Sequence, residues 1–155
     1  MTRKTSADGR STNTGGANAF WMEAALNKIN EGREPFDRST LVILAKKIRD
    51  VRTLRNAVFA PELFGEPAWD LLLPLYIAEG DQYRLKVTSA CNESNVPETT
   101  ALRWLNSLNE LGLIQYESNP TDARSRYVAL SREGVASMDR LMIIASGQFP
   151  RHASN

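Results

Sequence analysis

The chain has 155 residues, of which 42% are hydrophobic and 24% are charged, as expected for a globular protein with one substantial core. The formal net charge of only +1 excludes a polycation that coats nucleic acid, so any DNA contact must come from local patches. A single cysteine, Cys91, excludes an internal disulfide framework, and no apolar run approaches the ~20 residues that span a bilayer, so we expect a cytoplasmic protein without a membrane segment.

The chain begins with a polar segment, residues 1–18, which is rich in Thr, Ser, Gly and Asn and has no hydrophobic periodicity. We expect a disordered arm there, because it lacks the apolar groups that offset the entropy of ordering. Its weakly basic character would allow contacts with phosphates, but a solvated tail is the simpler interpretation. The polar start argues against a signal peptide. A short helix is predicted next, over Ala19–Asn30.

The longest predicted helix runs from a cap at Asp37 or Ser39 to about Ala60. Its apolar residues recur with nearly heptad spacing: Leu41, Leu44, Ile48, Val51, Leu54 and Val58. Such a seam is either plain core or, since it is long, a contact with another long helix in the same chain or in a second copy. The outer face is basic, and we interpret it as solvated rather than phosphate-binding. It comprises Arg38, Lys46, Lys47, Arg49, Arg52 and Arg55.

The helix predicted over Ala68–Glu79 follows Pro67, is apolar nearly all round and should therefore be buried. Pro74 lies inside it and is expected to kink it or to interrupt one backbone hydrogen bond. A short strand over Tyr83–Lys86 and a helix over Val87–Ser94 are predicted to follow.

After a turn at Ser94–Asn95, a helix is predicted over about 97–111. One side is apolar, with residues at spacings of three and four: Ala101, Leu105, Leu108 and Leu111. Gly112 follows, where a residue in the left-handed conformation ends a helix cheaply. The opposite side is polar and carries one fork-shaped cation: Thr99, Thr100, Arg103, Asn106 and Ser107.

A β-hairpin is predicted next, with strands over Leu113–Glu117 and Arg126–Leu130 and turn residues over 119–122. Asp122 has two interpretations. Its carboxylate holds the guanidinium of Arg124 extended, or Asp122 is an ordinary turn former. A helix followed by a two-stranded ribbon with arginines at its tip is a shape that reads DNA.

Ser131 is predicted to cap a final helix from Arg132 to about Gly147. An exposed apolar stripe is predicted along this helix: Val135, Met138, Leu141, Met142 and Ile144 or Ala145. The residues after it, which include the only histidine, His152, are expected to fray.

The stretch from Val87 to Gly134 resembles the winged helix-turn-helix of the MarR-type transcriptional regulators. Three motifs carry the resemblance: Leu108-x-x-x-Gly112-Leu113-Ile114 at the helix end, Pro120-x-Asp122-x-Arg124-Ser125 in the wing, and Leu130-Ser131-x-x-Gly134. Two positions depart from the family pattern. Pro97 replaces the usual Ser or Thr cap, and Leu102 replaces a polar residue on the outer side.

The resemblance implies a mainly α (α+β) fold, with a winged helix-turn-helix DNA-binding lobe over residues 61–132. Flanking dimerisation helices are implied over 19–60 and 133–155. The implied function is that of a homodimeric, sequence-specific transcriptional regulator of double-stranded DNA, with the helix 97–111 in the major groove and the wing 114–130 in the minor groove. Family members often respond to a small aromatic effector between the lobes, and no residue in this sequence identifies one.

The resemblance also implies roles for single residues. Thr100 and Arg103 fall where the family usually places its polar readout pair, and Leu102 would pack on thymine methyl groups. Arg124, beside Asp122, is expected to enter the flanking minor groove. Phosphate contacts are expected from Arg84, Lys86 and Arg126.

Two alternatives remain open. A winged-helix module that binds protein and not DNA is favoured by the charge balance between Asp81 and Arg132, where six Lys or Arg face six Asp or Glu. The outer residues Leu102, Glu98 and Glu110 also suit a protein partner. The other alternative, the accessory domain of an enzyme, would need a catalytic domain that this chain is too short to hold.

The sequence gives no indication of an enzyme or a cofactor. There is no Gly-rich phosphate loop and no nucleophile elbow, and one Cys and one His cannot form a His/Cys metal site. Cys91 could be a redox sensor, as in some relatives of the family. Because no cation lies near it in sequence, we interpret it as a small buried residue.

Overall fold

The computed structural model describes residues 37–147 and, N-terminal to these, Asn27 alone. The arm predicted over 1–18, the short helix predicted over 19–30, apart from Asn27, and the tail with His152 lie outside the described residues. Residues 37–147 belong to the unit Glu34–Asn155.

Helices and a small antiparallel sheet alternate along the described chain, as the predicted mainly α (α+β) fold requires. The helices are α1 (Arg38–Val58), α2 (Pro67–Gly80), α3 (Val87–Glu93), α4 (Glu98–Glu110) and α5 (Arg132–Ala145), with a 3₁₀ turn at Pro61–Phe64. The strands are β1 (Leu85–Lys86), β2 (Ile114–Ser118) and β3 (Arg126–Leu130), in the order β1-β3-β2. The predicted fold class is confirmed.

Helix α1 starts at the cap that the sequence predicts, because the Asp37 carboxylate accepts a hydrogen bond from the Ser39 amide at 3.1 Å. The seam along α1 divides into two halves. Leu41 is buried by the chain itself, whereas Val51 and Leu54 are each 65% exposed and Val58 is 75% exposed. The second half of the seam therefore has no apolar cover within residues 37–147.

The basic face of α1 is not simply solvated, so that interpretation is wrong for part of it. Arg52 is only 13% exposed and lies 2.6 Å from the Asp70 carboxylate and 2.5 Å from that of Glu66. Lys46 pairs with Asp81 at 2.7 Å. These cations join α1 to α2, because acidic residues of α2 and its flanks lie against them.

Helix α2 forms the centre of the core, as predicted from its nearly continuous apolar sequence. Leu71 and Tyr76 are fully buried, and Pro74 lies within the helix. The Tyr76 hydroxyl donates to Asp139 Oδ1 at 2.5 Å, which links α2 to α5. Burial is the main reason why the pKa of the Tyr76 hydroxyl is raised, so this hydroxyl remains a donor.

The sheet is built around β3, which pairs with β1 through Leu85↔Val128 and with β2 from Ile114↔Leu130 to Ser118↔Arg126. The predicted strand over Tyr83–Lys86 is shorter in the structure. Tyr83 and Arg84 have no regular structure and follow a turn at Asp81–Gln82, where Gln82 has a φ of 59°. Ile114, Val128 and Leu130 share the buried face of the sheet.

The end of α4 and the start of α5 meet at a junction. Gly112 has the predicted left-handed conformation, with a φ of 72°, and ends α4. Leu111, predicted on the apolar side, is instead 70% exposed because it is the C-cap, where the chain already leaves the helix. The Ser131 hydroxyl accepts from the Gly134 amide at 3.0 Å and donates to the Gly112 carbonyl at 2.5 Å.

The exposed stripe predicted on α5 is largely wrong. Met138 and Met142 are buried in this chain, together with Ile143, whereas Leu141, at 42%, and Ala145 remain exposed. The buried side of α5 packs against α1 and β3, so its methionines complete the core.

Candidate nucleic-acid interface

Helix α4 is held by a helix-turn-helix arrangement with α3. Asn95 adopts a φ of 54° in the turn, and the buried Ser94 hydroxyl donates to the Cys91 carbonyl at 2.6 Å. Ala101 and Leu105 are fully buried and Leu108 nearly so, which fixes the rotation of α4 about its axis. The apolar side of this helix was predicted correctly at these three positions.

The opposite side of α4 presents the predicted polar set to solvent. Thr99, Arg103, Asn106 and Ser107 are exposed, whereas Thr100 and Leu102 are half-buried. The Ser107 hydroxyl donates to the Arg103 carbonyl at 3.1 Å and is thus partly engaged by its own helix. Arg103 has no ion pair with a carboxylate of the described residues, so its five N–H donors remain available.

The turn of the wing is organised by Asn119, which sequence analysis treated only as a turn former. Its side chain is buried, with 6% of the residue exposed. Asn119 Oδ1 accepts from the Thr121 amide at 3.1 Å and from the Thr121 hydroxyl at 2.8 Å, and Nδ2 donates to Ser125 Oγ at 2.7 Å. An Asn directly before a proline is the signal that indicates such a turn.

Asp122 does not hold the guanidinium of Arg124, so the first of its two interpretations is wrong. The Asp122 carboxylate accepts from the backbone amide of Arg124 at 3.0 Å, and no ion pair joins the two side chains within residues 37–147. Since the carboxylate engages the backbone, it fixes the turn as in the second interpretation. The guanidinium of Arg124 is left exposed at the tip of the wing.

The structure joins the wing to α4 through a tyrosine that sequence analysis did not single out. The Tyr116 hydroxyl donates to Asn106 Oδ1 at 3.1 Å. The guanidinium of Arg126 lies over the Tyr116 ring, 4.4 Å from its centroid. Burial raises the pKa of the Tyr116 hydroxyl, while Arg126 acts in the opposite direction, so the phenol remains protonated. This contact depends on how β2 packs beside α4, which the sequence pattern does not show.

Arg84 lies apart from this group, on the other face of the sheet. It pairs with Glu117 and lies over the Tyr127 ring, 4.6 Å from the centroid. Because side chains of a strand alternate between faces, Tyr127 and Val128 point in opposite directions. Lys86 pairs across from Tyr127 and is exposed. The structure thus does not bring Arg84 together with the polar side of α4.

Two large apolar side chains also face solvent here, Trp104 on α4 at 41% exposure and Leu111 at its C-cap at 70% exposure. Sequence analysis did not single out Trp104, which directly precedes the buried Leu105 in the sequence. Its helical spacing from the polar residues would have placed it beside them.

Cys91 is 2% exposed. Burial and, second, the nearby Glu98 carboxylate raise the pKa of its thiol. A cavity of about 410 Å³ between α1, α2 and α3 has a mainly polar lining that includes Arg49, Asp70 and Asn92. Among the described residues there is no cluster of three or more His, Cys, Asp or Glu that could hold a metal ion. None of the described helices is long and apolar enough to cross a membrane.

No family model and no curated protein sequence matches the chain. Comparison with solved structures does give matches. Several of the structural neighbours are MarR-family transcriptional regulators, at low sequence identity. A mutant of MarR from E. coli has a TM-score of 0.46 at 18% identity and covers 74% of this chain and 81% of its own. The described residues form a mainly helical architecture with a small antiparallel three-stranded sheet.

Two further MarR-family neighbours were solved with ligands. PcaV from Streptomyces coelicolor, a transcriptional regulator in complex with its natural ligand, has a TM-score of 0.44 at 20% identity and covers 68% of this chain and 73% of its own. The heme sensor protein PefR from Streptococcus agalactiae, in complex with heme, has a TM-score of 0.46 at 18% identity. The match covers 88% of this chain and 77% of PefR. Sequence identity to these neighbours is low.

Proposed function

We propose that this chain is a sequence-specific DNA-binding transcriptional regulator that acts as a homodimer. The MarR-like fold suggests a transcriptional regulator. One observation carries the more detailed proposal: the buried side of α4 leaves Arg103 on the exposed side, without an ion pair among residues 37–147, next to a wing whose tip carries Arg124. A rigid helix with a polar outer side beside an arginine-tipped ribbon has the shape that reads duplex DNA.

In this proposal α4 lies in the major groove. Arg103 donates to guanine N7 and O6 or to a pair of phosphate oxygens, since its planar fork fits both. Thr99, Thr100, Asn106 and Ser107 donate to or accept from neighbouring base edges. Leu102, half-buried at the edge of the exposed side, packs on thymine methyl groups.

The wing lies in the flanking minor groove. Asp122 holds the backbone of the turn, so the guanidinium of Arg124 is free to enter a narrow groove. Arg126 and Lys86 contact phosphates. We assign Arg84 a weaker phosphate contact, because Glu117 already neutralises part of its charge.

Dimerisation uses the flanking segments 19–60 and 133–155, with the winged lobe over 61–132 between them. The support within the described residues is the uncovered row Val51, Leu54 and Val58 on α1. To read a two-fold symmetric site, two copies joined along this row must hold their α4 helices about one DNA turn apart, roughly 34 Å. A small aromatic effector bound between the lobes is a further proposed partner.

A second candidate function, a winged-helix module that binds protein and not DNA, is favoured by the exposed Trp104 and Leu111. Large exposed apolar side chains on a helix are typical of protein interfaces. The balanced charge of the lobe also fits this candidate.

Selection from random duplexes, followed by fluorescence anisotropy at several salt concentrations, separates the two candidates. The regulator should enrich a two-fold symmetric site, and the logarithm of its affinity should fall linearly with the logarithm of salt concentration. A chain that enriches no duplex above background at low salt would favour the protein-binding module.

A further inference from the structure

The contact between Tyr116 and Asn106 joins the wing to the proposed recognition helix. Within residues 37–147, it is the only side-chain hydrogen bond between α4 and the strands of the sheet. Asn106 is exposed, so the same amide that receives this bond from the wing also faces solvent. Arg126 covers the Tyr116 ring from the distal end of the wing, diagonally across the β2–β3 pair.

We infer that Tyr116 is a positioning residue that sets which hydrogen-bonding group Asn106 presents to DNA. The inference rests on the proposed DNA-binding function. In the structure the Tyr116 hydroxyl donates to the amide oxygen Oδ1 of Asn106, at 3.1 Å. The oxygen is therefore turned towards the wing, and the Nδ2 group with its two N–H donors is turned away from it.

This orientation has a consequence for base preference. In the major groove guanine presents N7 and O6, adenine N7 and thymine O4 as acceptors, whereas cytosine presents only the N4 amino donor. An amide that presents donors can bind the first three bases. Facing cytosine, the amino group of Asn106 would meet another donor with no acceptor between them. Asn106 held by Tyr116 should thus exclude cytosine at one contacted base in each half-site.

Arg126 strengthens the arrangement. A cation over the face of an aromatic ring is attracted by the ring quadrupole and restricts the ring's motion. The same positive charge makes the phenol a better donor, because it stabilises electron density left on the oxygen. The wing thus contributes to base selection by α4 without a base contact of its own at that position.

The test is the substitution Tyr116→Phe, which removes the hydroxyl and retains the ring beneath Arg126. Its matched control is Tyr127→Phe, on the opposite face of the same sheet beneath its own cation, Arg84. Each protein is titrated by fluorescence anisotropy against the selected operator and against duplexes with every base at each position. Wild type and Tyr127→Phe should disfavour cytosine at one base per half-site on the order of 10-fold.

Tyr116→Phe should reduce that discrimination to within about 2-fold, because a freed amide can rotate and present its oxygen to cytosine N4. Its affinity for non-specific duplex should equal that of wild type, which a merely destabilised wing would not preserve. If Tyr116→Phe is unstable, Asn106→Ala tests the same point on the helix side and should lose the discrimination too.

Two outcomes would overturn the inference and can be told apart. Operator selection that succeeds, with cytosine discrimination unchanged in Tyr116→Phe and Asn106→Ala, would reject the positioning role and leave the proposed function intact. Failure of wild type to select any duplex would reject the proposed function itself. A readout without DNA is the Asn106 side-chain amide in NMR spectra, whose 15N and 1H chemical shifts should change in Tyr116→Phe, because the oxygen loses its hydrogen bond, and should remain unchanged in Tyr127→Phe.

Discussion

Gly134 lies where the start of α5 presses against the chain that leaves α4. A Cβ atom at this position would lie 1.9 Å from the carbonyl oxygen of Leu113. The Ser131 amide donates to the same carbonyl at 2.9 Å, so the carbonyl is fixed. The motif Leu130-Ser131-x-x-Gly134 therefore has a physical reason: the serine caps α5 and ties it to α4, and the glycine lets the two backbones approach.

Gly134→Ala should destabilise the protein. Alanine normally favours a helix over glycine by about 1 kcal/mol, but here the new methyl group meets a backbone oxygen that cannot rotate away. We expect the free energy of unfolding to fall by about 1–3 kcal/mol, measured by urea denaturation. Gly65→Ala is the control, since its φ is −76° and a Cβ there would meet no atom within 4 Å beyond its chain neighbours. Equal stability of the two variants would contradict the close approach.

Cys91 is expected to be structural. Its raised thiol pKa keeps the thiolate, the reactive form, scarce at neutral pH, and its population grows only as the pH rises towards that pKa. Cys91→Ala should leave DNA affinity unchanged under reducing and oxidising conditions, as measured by anisotropy with and without peroxide. A loss of binding on peroxide treatment that Cys91→Ala abolishes would instead show a redox switch.

Individual residues differ in how well sequence predicts them. The helix caps at Asp37 and Ser131 and the left-handed conformation of Gly112 involve backbone groups within a few positions, so they could be predicted from local patterns. The contact of Tyr116 with Asn106 could not be predicted in this way, because it depends on how β2 packs beside α4.

At the scale of elements, helix α1 likewise has features that the local sequence predicts and features that it does not. Its extent and apolar seam follow from periodicity, which is local. Which parts of the seam the chain covers depends on where α2 crosses α1, and this left Val51 and Leu54 exposed. The interpretation of Arg52 as solvated was wrong because its partner Asp70 lies 18 positions further along the chain.

The exposed half of the α1 seam should be a dimer contact. Val51→Glu with Leu54→Glu should convert a dimer into a folded monomer, because both side chains are 65% exposed and a carboxylate there would be solvated only in the monomer. The measurement is light scattering at micromolar concentration, with circular dichroism to verify the fold. Thr53→Glu, an exposed position on another side of α1, should remain dimeric. Wild type that is monomeric under these conditions would rule out the proposed dimer.

At the scale of the whole molecule, two separate surfaces have to cooperate in the proposed function. The uncovered row of α1 joins two copies, and the polar side of α4 with the wing contacts DNA. Near-neutral overall charge makes the placement of a few cations decisive, since a chain with a net charge of +1 gains little from non-specific attraction. Arg103 on α4 and Arg124 on the wing are exposed cations at the two ends of this proposed DNA surface.

The most direct test compares Arg103→Ala and Arg124→Ala with wild type on the selected operator, by fluorescence anisotropy at several salt concentrations. Arg103→Ala should cost on the order of 1–3 kcal/mol and relax the preference at one base pair per half-site. Arg124→Ala should weaken binding broadly and lower the salt slope by about one unit per lost phosphate-like contact. Lys47→Ala, an exposed cation on α1, should bind like wild type. If both arginine variants also bind the operator like wild type, α4 and the wing are not the DNA surface.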